Sequence, residues 1–145
     1  MTDTIALVSC VGEKLAEPAE AQDLYTSPWF RKARVCAESL AHHWFILSAK
    51  YGLVRPQTRI APYEKSLTKM SAADRRAWAD SVMGQLGEIV APGDNIIFLA
   101  GKHYREFLVG PLRALGCSVE TPMARMRIGE QLGWLTHECG GPSGR

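Results

Sequence analysis

Long apolar runs are missing from this chain. No segment approaches the roughly 20 apolar residues that a helical membrane span requires, so no membrane partner is expected. An excess of one charge is missing too. The 17 Lys and Arg stand against 15 Asp and Glu, a formal net charge of +2, and broad nucleic-acid-binding patches normally raise it further. Any such affinity has to come from local clustering. The opening residues, MTDTIALVSC, lack a basic leader, and their apolar run is shorter than a secretory core with its cleavage site. The cytoplasm is the expected compartment. Cys10, Cys36, Cys117 and Cys139 are scattered, with no C-x-x-C pair and no His/Cys partner at zinc-finger spacing. They read as free thiols in a reducing compartment, with no metal site.

Several catalytic signatures are absent as well. Without G-x-G-x-x-G a standard dinucleotide fold is unsupported, and LAGKHY lacks both the earlier glycine and the following Ser/Thr of a phosphate-binding loop. A cysteine phosphatase loop would need arginine where Ala16 stands. No G-x-S-x-G elbow and no H-x-E with C-x-x-C occurs, which removes the α/β-hydrolase and zinc-deaminase readings. No cofactor is expected.

What is present is an alternation of strand and helix signals. Residues 5–10 (IALVSC), 44–49 (WFILSA) and 95–100 (NIIFLA) are short apolar runs of strand length, and 117–121 (CSVET) reads as a fourth. Ser27-Pro28 is a helix-start signal; the helix then predicted, to about His42, repeats Phe30, Ala33, Ala37 and Leu40 near the helical period. Ser71 to Asp74 resembles a capping box, opening a helix to about Val90 that buries Trp78, Val82, Leu86 and Ile89. Residues 104–115 and 128–135 read as further helices. Residues 54–70, with Pro56 and Pro62, have too little periodicity for either element, and loops of that length are often lids or binding loops. Strands separated by helix-length segments predict an α/β fold. It is a single domain over residues 1–139, with a small, mostly parallel sheet of about four strands flanked by helices and a flexible tail at 140–145.

In such a sheet the loops outside the carboxyl ends of the strands share one edge, where ligands of α/β folds bind. Each of the three apolar strands runs into a loop with a lysine: Lys14, Lys50 and Lys102. Lysine there is a compact charge suited to phosphate or carboxylate. Tyr51, Tyr63 and Tyr104 are candidates to stack on a base, and Gly52 and Gly101 would let the backbone approach a ligand. His103 is the histidine placed best for acid–base work, whereas His42-His43 suits a structural role. Among the carboxylates, Asp23 and Glu64 are candidates to activate water or stabilise positive charge, with Glu13 beside Lys14. Asp and Glu in such loops are otherwise solvated surface groups.

The segments VSCVGEK, AQDLYTSPWFRKAR, ILSAKYGLVRP, APYEKSL, FLAGKHYREFL and IGEQLGWL, taken in order over nearly the whole chain, resemble an uncharacterised bacterial and phage family of domains of unknown function. More remotely, Cys10-x-x-x-Lys14 followed by Tyr25-x-Ser27 is similar to the core domain of archaeosine synthases, with Ser9 where that pattern has proline, and to the YaaA-type peroxide-stress proteins, which are linked to DNA. This resemblance implies a substrate class, nucleobases in nucleic acid. The leading expectation is a nucleobase-directed enzyme that cleaves the N-glycosidic bond of a modified base in DNA or a nucleotide. Asp23 or Glu64 would serve the reacting centre while Lys50 or Lys102 holds phosphate. The alternatives are a base-modification transferase using Cys10 or Lys14 as covalent nucleophile and a non-catalytic nucleotide or nucleic-acid binding module. Oligomeric state is left open.

Overall fold

The structure of the protein, a computed structural model, describes residues 2–9 and 12–139. Cys10 and the expected tail at 140–145 lie outside the described residues.

Strand β1 (Thr4–Ser9) is buried from Ile5 onward. The chain then makes a short strand β2 (Ala19–Glu20) and a single turn α1 (Ala21–Leu24) before the first long helix, α2 (Pro28–Leu40). Ser27 caps α2 by accepting the Phe30 N–H, and Pro28 fills the first helical position, where no N–H is needed. The helix stops at Leu40, short of the expected His42, because the next residues are already drawn into the sheet. The His42 N–H donates to the Thr4 carbonyl (2.8 Å) and its Nδ1 accepts the Thr4 N–H (2.8 Å).

Strand β3 (His43–Ser48) turns back sharply into β4 (Gly52–Val54). Residues 55–71 hold a two-residue strand β5 (Arg59–Ile60), paired with β2, and a 3-10 turn (Leu67–Lys69). Helix α3 (Ala72–Leu86) begins as its sequence predicts, with the Ser71 side chain accepting the Asp74 N–H, and buries Trp78, Ala79, Val82 and Leu86. Strand β6 (Asn95–Leu99) follows, then α4 (Lys102–Arg105) and α5 (Val109–Ala114) in place of one helix over 104–115. Pro111 explains the division. Lacking an N–H, it cannot continue a helix from the preceding turn but fits the first turn of a new one. Strand β7 (Ser118–Glu120) and helix α6 (Ile128–Cys139) complete the order.

The main sheet has five strands in the order β4-β3-β1-β6-β7. Neighbouring strands run parallel except β4, which is antiparallel to β3. The class is therefore α/β with a mostly parallel sheet. The additional strand is β4, whose brevity hides it in the sequence. Gly52 allows the reversal: its φ is +76°, and a Cβ there would stand 2.8 Å from Gln85 Oε1. That close approach is used, since the Gln85 amide accepts from the Leu53 N–H (3.0 Å) and donates to the Leu53 carbonyl (3.2 Å), covering an edge strand that would otherwise present unpaired groups.

Helix α2 packs on β1 and β3 and is covered by α6. Here the free-thiol expectation is corrected for two cysteines: Cys36 of α2 and Cys139 of α6 form a disulfide across 103 residues. Their spacing carries no signal because only the packing of the two helices brings them together. Cys117 is a buried free thiol, its pKa raised by burial and by Asp94. Among the described residues no helix is long and apolar enough to cross a membrane.

Asp94 joins the amino ends of β1 and β6. Its buried carboxylate accepts the Asp3 N–H (3.0 Å) and the Ala91 N–H (2.9 Å), and these backbone bonds hold its pKa below the ordinary aspartate value. A depressed folded-state pKa contributes stability above the unfolded value of about 3.9, and that contribution is lost as pH falls through the folded value. Urea midpoints of the wild type are therefore expected to fall in this acid range, and Asp94→Asn to start lower at neutral pH with a shallower acid limb. Parallel curves for the two proteins would refute the assignment.

Candidate functional site

The connection that leaves β1 runs to β3 on one side, and the connection that leaves the neighbouring β6 runs to β7 on the other. The crevice between the carboxyl ends of β1 and β6 is thus the switch point of the sheet, where α/β folds bind ligands. Ser9 and Gly101 stand at these two ends. Ser9 is fully buried and its Oγ accepts the Gly101 N–H at 3.3 Å, so Ser9 ties the two loops together from below.

The loop after β1 is fixed by backbone pairing. Lys14 and Tyr25 form an antiparallel bridge, with the Leu15 N–H on the Leu24 carbonyl and the Thr26 N–H on the Glu13 carbonyl, both at 2.8 Å. Gly12 has φ +75°, and a Cβ there would meet Ser27 Cβ at 2.9 Å. Ser27, in addition to capping α2, therefore sets how close this loop lies. Above it opens a cleft of about 470 Å³, lined by Glu13, Lys14, Ala16, Pro62, Tyr63 and Glu64 among others, within the size range of small-ligand sites.

Lys14 is half-buried, with Nζ 4.6 Å from the Tyr63 ring centre and 5.6 Å from that of Tyr25. The tyrosines are anchored underneath. Their hydroxyls share a hydrogen bond of 2.8 Å, and Ser48 Oγ donates to that of Tyr63 at 2.8 Å while accepting the Tyr51 N–H at 3.0 Å. Ser48 is itself fully buried at the end of β3. The strand end, the turn after it and the cleft wall are thus one hydrogen-bonded unit.

Tyr51 meets Tyr63 edge to face at 5.6 Å and carries Lys50 Nζ at 5.2 Å from its ring centre. Lys14, Tyr63, Tyr51 and Lys50 consequently form a row in which two cations flank two touching rings. Beyond it lies a second cleft of about 500 Å³, lined by Lys50, Tyr51, Gly52, Lys65, Asp74 and Trp78 among others. Pro62, Tyr63 and Glu64 line the first cleft and Lys65 the second, so one stretch of chain separates them.

The remaining sequence candidates fall elsewhere. Asp23, on α1, is exposed and does not line the first cleft; its carboxylate is 3.0 Å from Arg34 Nη1. Tyr104 is buried and packs on Trp78 edge to face at 5.7 Å. Lys102 is exposed at the start of α4, on the expected edge but lining neither cleft. The α4 turn spans four residues, too few to add a helix dipole to this edge. His103 has Nδ1 3.0 Å from Glu106 Oε2, and that same oxygen accepts from Arg75 Nε at 3.0 Å. Burial raises the Glu106 pKa, but the bonds from His103 and Arg75 prevail and leave it below the usual glutamate value. The sequence reading missed Glu106 and Arg75. The i, i+3 spacing of His103 and Glu106 was the available signal, since such pairs share a helical face. Ser48 was missed too, as nothing in the sequence distinguishes it from any strand serine.

The sequence profile of a family of unknown function (DUF6884) matches residues 5–137. The chain belongs to that family. This DUF6884 chain is also similar to the uncharacterized protein YfjM of Bacillus subtilis (strain 168), 27% identical over 111 residues, which cover 72% of this chain and 73% of the relative. The family match spans every element that builds the two clefts. Among the described residues, no group of three or more His, Cys, Asp and Glu side chains is arranged to hold a metal ion.

Proposed function

We propose that this protein cleaves the N-glycosidic bond of a modified base in a nucleic acid or nucleotide, with the cleft over β1 as its active site. The observation that carries the reading is the joint lining of that cleft by Lys14, seated against two anchored tyrosine rings, and by Glu64 and Glu13. The half-exposed Tyr51 ring at the edge of the second cleft offers an aromatic face to a base of any sequence, and Lys14, which covers the buried Tyr25 and Tyr63 rings, accepts phosphate. A carboxylate beside them can activate water as a general base. In the reaction, water bonds through oxygen to the anomeric carbon and gives its proton to Glu64. The C–N bond breaks, its electron pair leaves on the base, and the base takes up a proton.

The remote similarity of Cys10, Lys14, Tyr25 and Ser27 to the archaeosine synthase and YaaA patterns supports the same substrate class. Lys50 and Lys65 of the second cleft extend the cationic surface for a neighbouring phosphate. A cytoplasmic place of action belongs to this reading, with the Cys36–Cys139 bridge as the feature at odds with a reducing compartment.

The deciding experiment incubates the purified protein with modified and unmodified DNA, RNA and free nucleotides, and assays free base by mass spectrometry and abasic sites by alkaline cleavage. Base release that Lys14→Gln weakens chiefly through KM is the expected result. Retention of the oligonucleotide without any product would leave a binding module instead.

A further inference from the structure

The cluster of His103, Glu106 and Arg75 stands outside the cleft, yet at the same switch-point crevice. The Gly101 N–H bonded to Ser9 Oγ is two residues from His103 in sequence, so the loop carrying the histidine is tied to the strand end from which the cleft loop departs. Two features separate this cluster from ordinary surface charge. The first is convergence. A single oxygen, Glu106 Oε2, lies 3.0 Å from both Arg75 Nε and His103 Nδ1, and Arg75 Nη1 donates in addition to the Met70 carbonyl. Arg75 and Glu106 are largely covered, with side chains 15% and 21% exposed. The second is what remains open. The His103 side chain is 33% exposed, and among the described residues Nε2 has no partner.

An imidazole held through Nδ1 by a fixed carboxylate has its tautomer set, with Nε2 presented for proton transfer. We propose that His103 and Glu106 form an oriented acid–base pair at this crevice, with His103 giving the departing base its proton and Glu106 acting as positioning residue. The assignment rests on the base-release reading. The imidazolium gives the Nε2 proton to a ring nitrogen of the base as the C–N bond breaks and its electron pair moves there. The water that adds to the sugar loses a proton to Glu64, and both groups return to their starting states by exchange with bulk water. Arg75 and Glu106 are the charged groups in contact; Lys102 and Arg105 lie on the same helical turn, and Lys69 on the adjoining 3-10 turn.

The test has an arm that needs no substrate. Nitrogen-15 NMR of the wild type should show the neutral His103 ring protonated on Nδ1, a tautomer preference that Glu106→Ala abolishes and Glu106→Asp keeps. On a base-releasing substrate, His103→Gln should lower kcat by roughly 100-fold with little change in KM. A neutral ring protonated on Nε2, or a kcat indifferent to His103→Gln, overturns the proposal. If the ring is oriented as described but no substrate releases base, the glycosidic reading fails and the oriented pair stands.

Discussion

Replacing Glu64 by glutamine is expected to lower base release by about 100- to 10,000-fold, the range a positioned general base contributes, while the protein still binds its oligonucleotide. The expectation follows from where the carboxylates lie. Glu64 is exposed within the cleft and adjoins Tyr63, whose ring seats Lys14. Removing its charge takes away the proton acceptor for water and leaves the cation and the aromatic wall in place. Binding should be unchanged or slightly tighter, because a negative charge beside an anionic ligand has gone. Asp23→Asn is the control. The sequence favours Asp23 equally, but its carboxylate is engaged by Arg34 Nη1 and it does not line the cleft. Its replacement should leave turnover near wild type. Single-turnover base release and filter binding, run on the same preparations, separate chemistry from affinity. Wild-type turnover in Glu64→Gln, or loss of turnover in Asp23→Asn with binding intact, would exchange the roles of the two residues or remove both.

The contrast between Asp23 and Glu64 shows what the sequence could convey about this site. Strand ends were legible because β1, β3 and β6 are short apolar runs bounded by polar loops, and their parallel order then follows from the helix-length connections. Lys14 and Lys50 were found by that route, and the structure adds the tyrosine row joining them. Orientation within a loop was not legible. Asp23 and Glu64 are both acidic residues beside aromatics, and only the pairing of β2 with β5 and the bridge at Lys14 decide which one borders the cleft. Tyr104 was hidden similarly: a tyrosine just after a strand end looks available, but Trp78 of α3 covers it. Glu106 was obscured because residues 104–115 were read as one continuous helix, whereas the chain breaks after Arg105. Local rules give elements and their edges, and contacts between distant segments assign the side chains.

The same distinction governs the second large effect. Preventing the Cys36–Cys139 bridge is expected to destabilise the protein by about 4–5 kcal/mol, the chain-entropy estimate for closing a loop of roughly 100 residues. That corresponds to a melting temperature lower by about 10–15 °C for a domain of this size. The variant matters. Cys36 is fully buried, so serine there would also bury a hydroxyl and mix two costs. Cys139, half-buried at the end of α6, reports the bridge alone, and Cys139→Ser is the substitution to make. The fold should survive it. Helix α6 is also held by Leu135 in the core, by Trp29 Nε1 donating to Gln131 Oε1 at 2.9 Å, and by Lys32 Nζ donating to Thr136 Oγ1 at 2.6 Å. Dithiothreitol should lower the melting temperature of the wild type to that of the variant and leave the variant unmoved. Thiol titration of the denatured chain, before and after reduction, should show two further thiols appearing. Equal melting temperatures for the oxidised wild type and Cys139→Ser would mean that the packing of α2 on α6 carries the stability without the bridge.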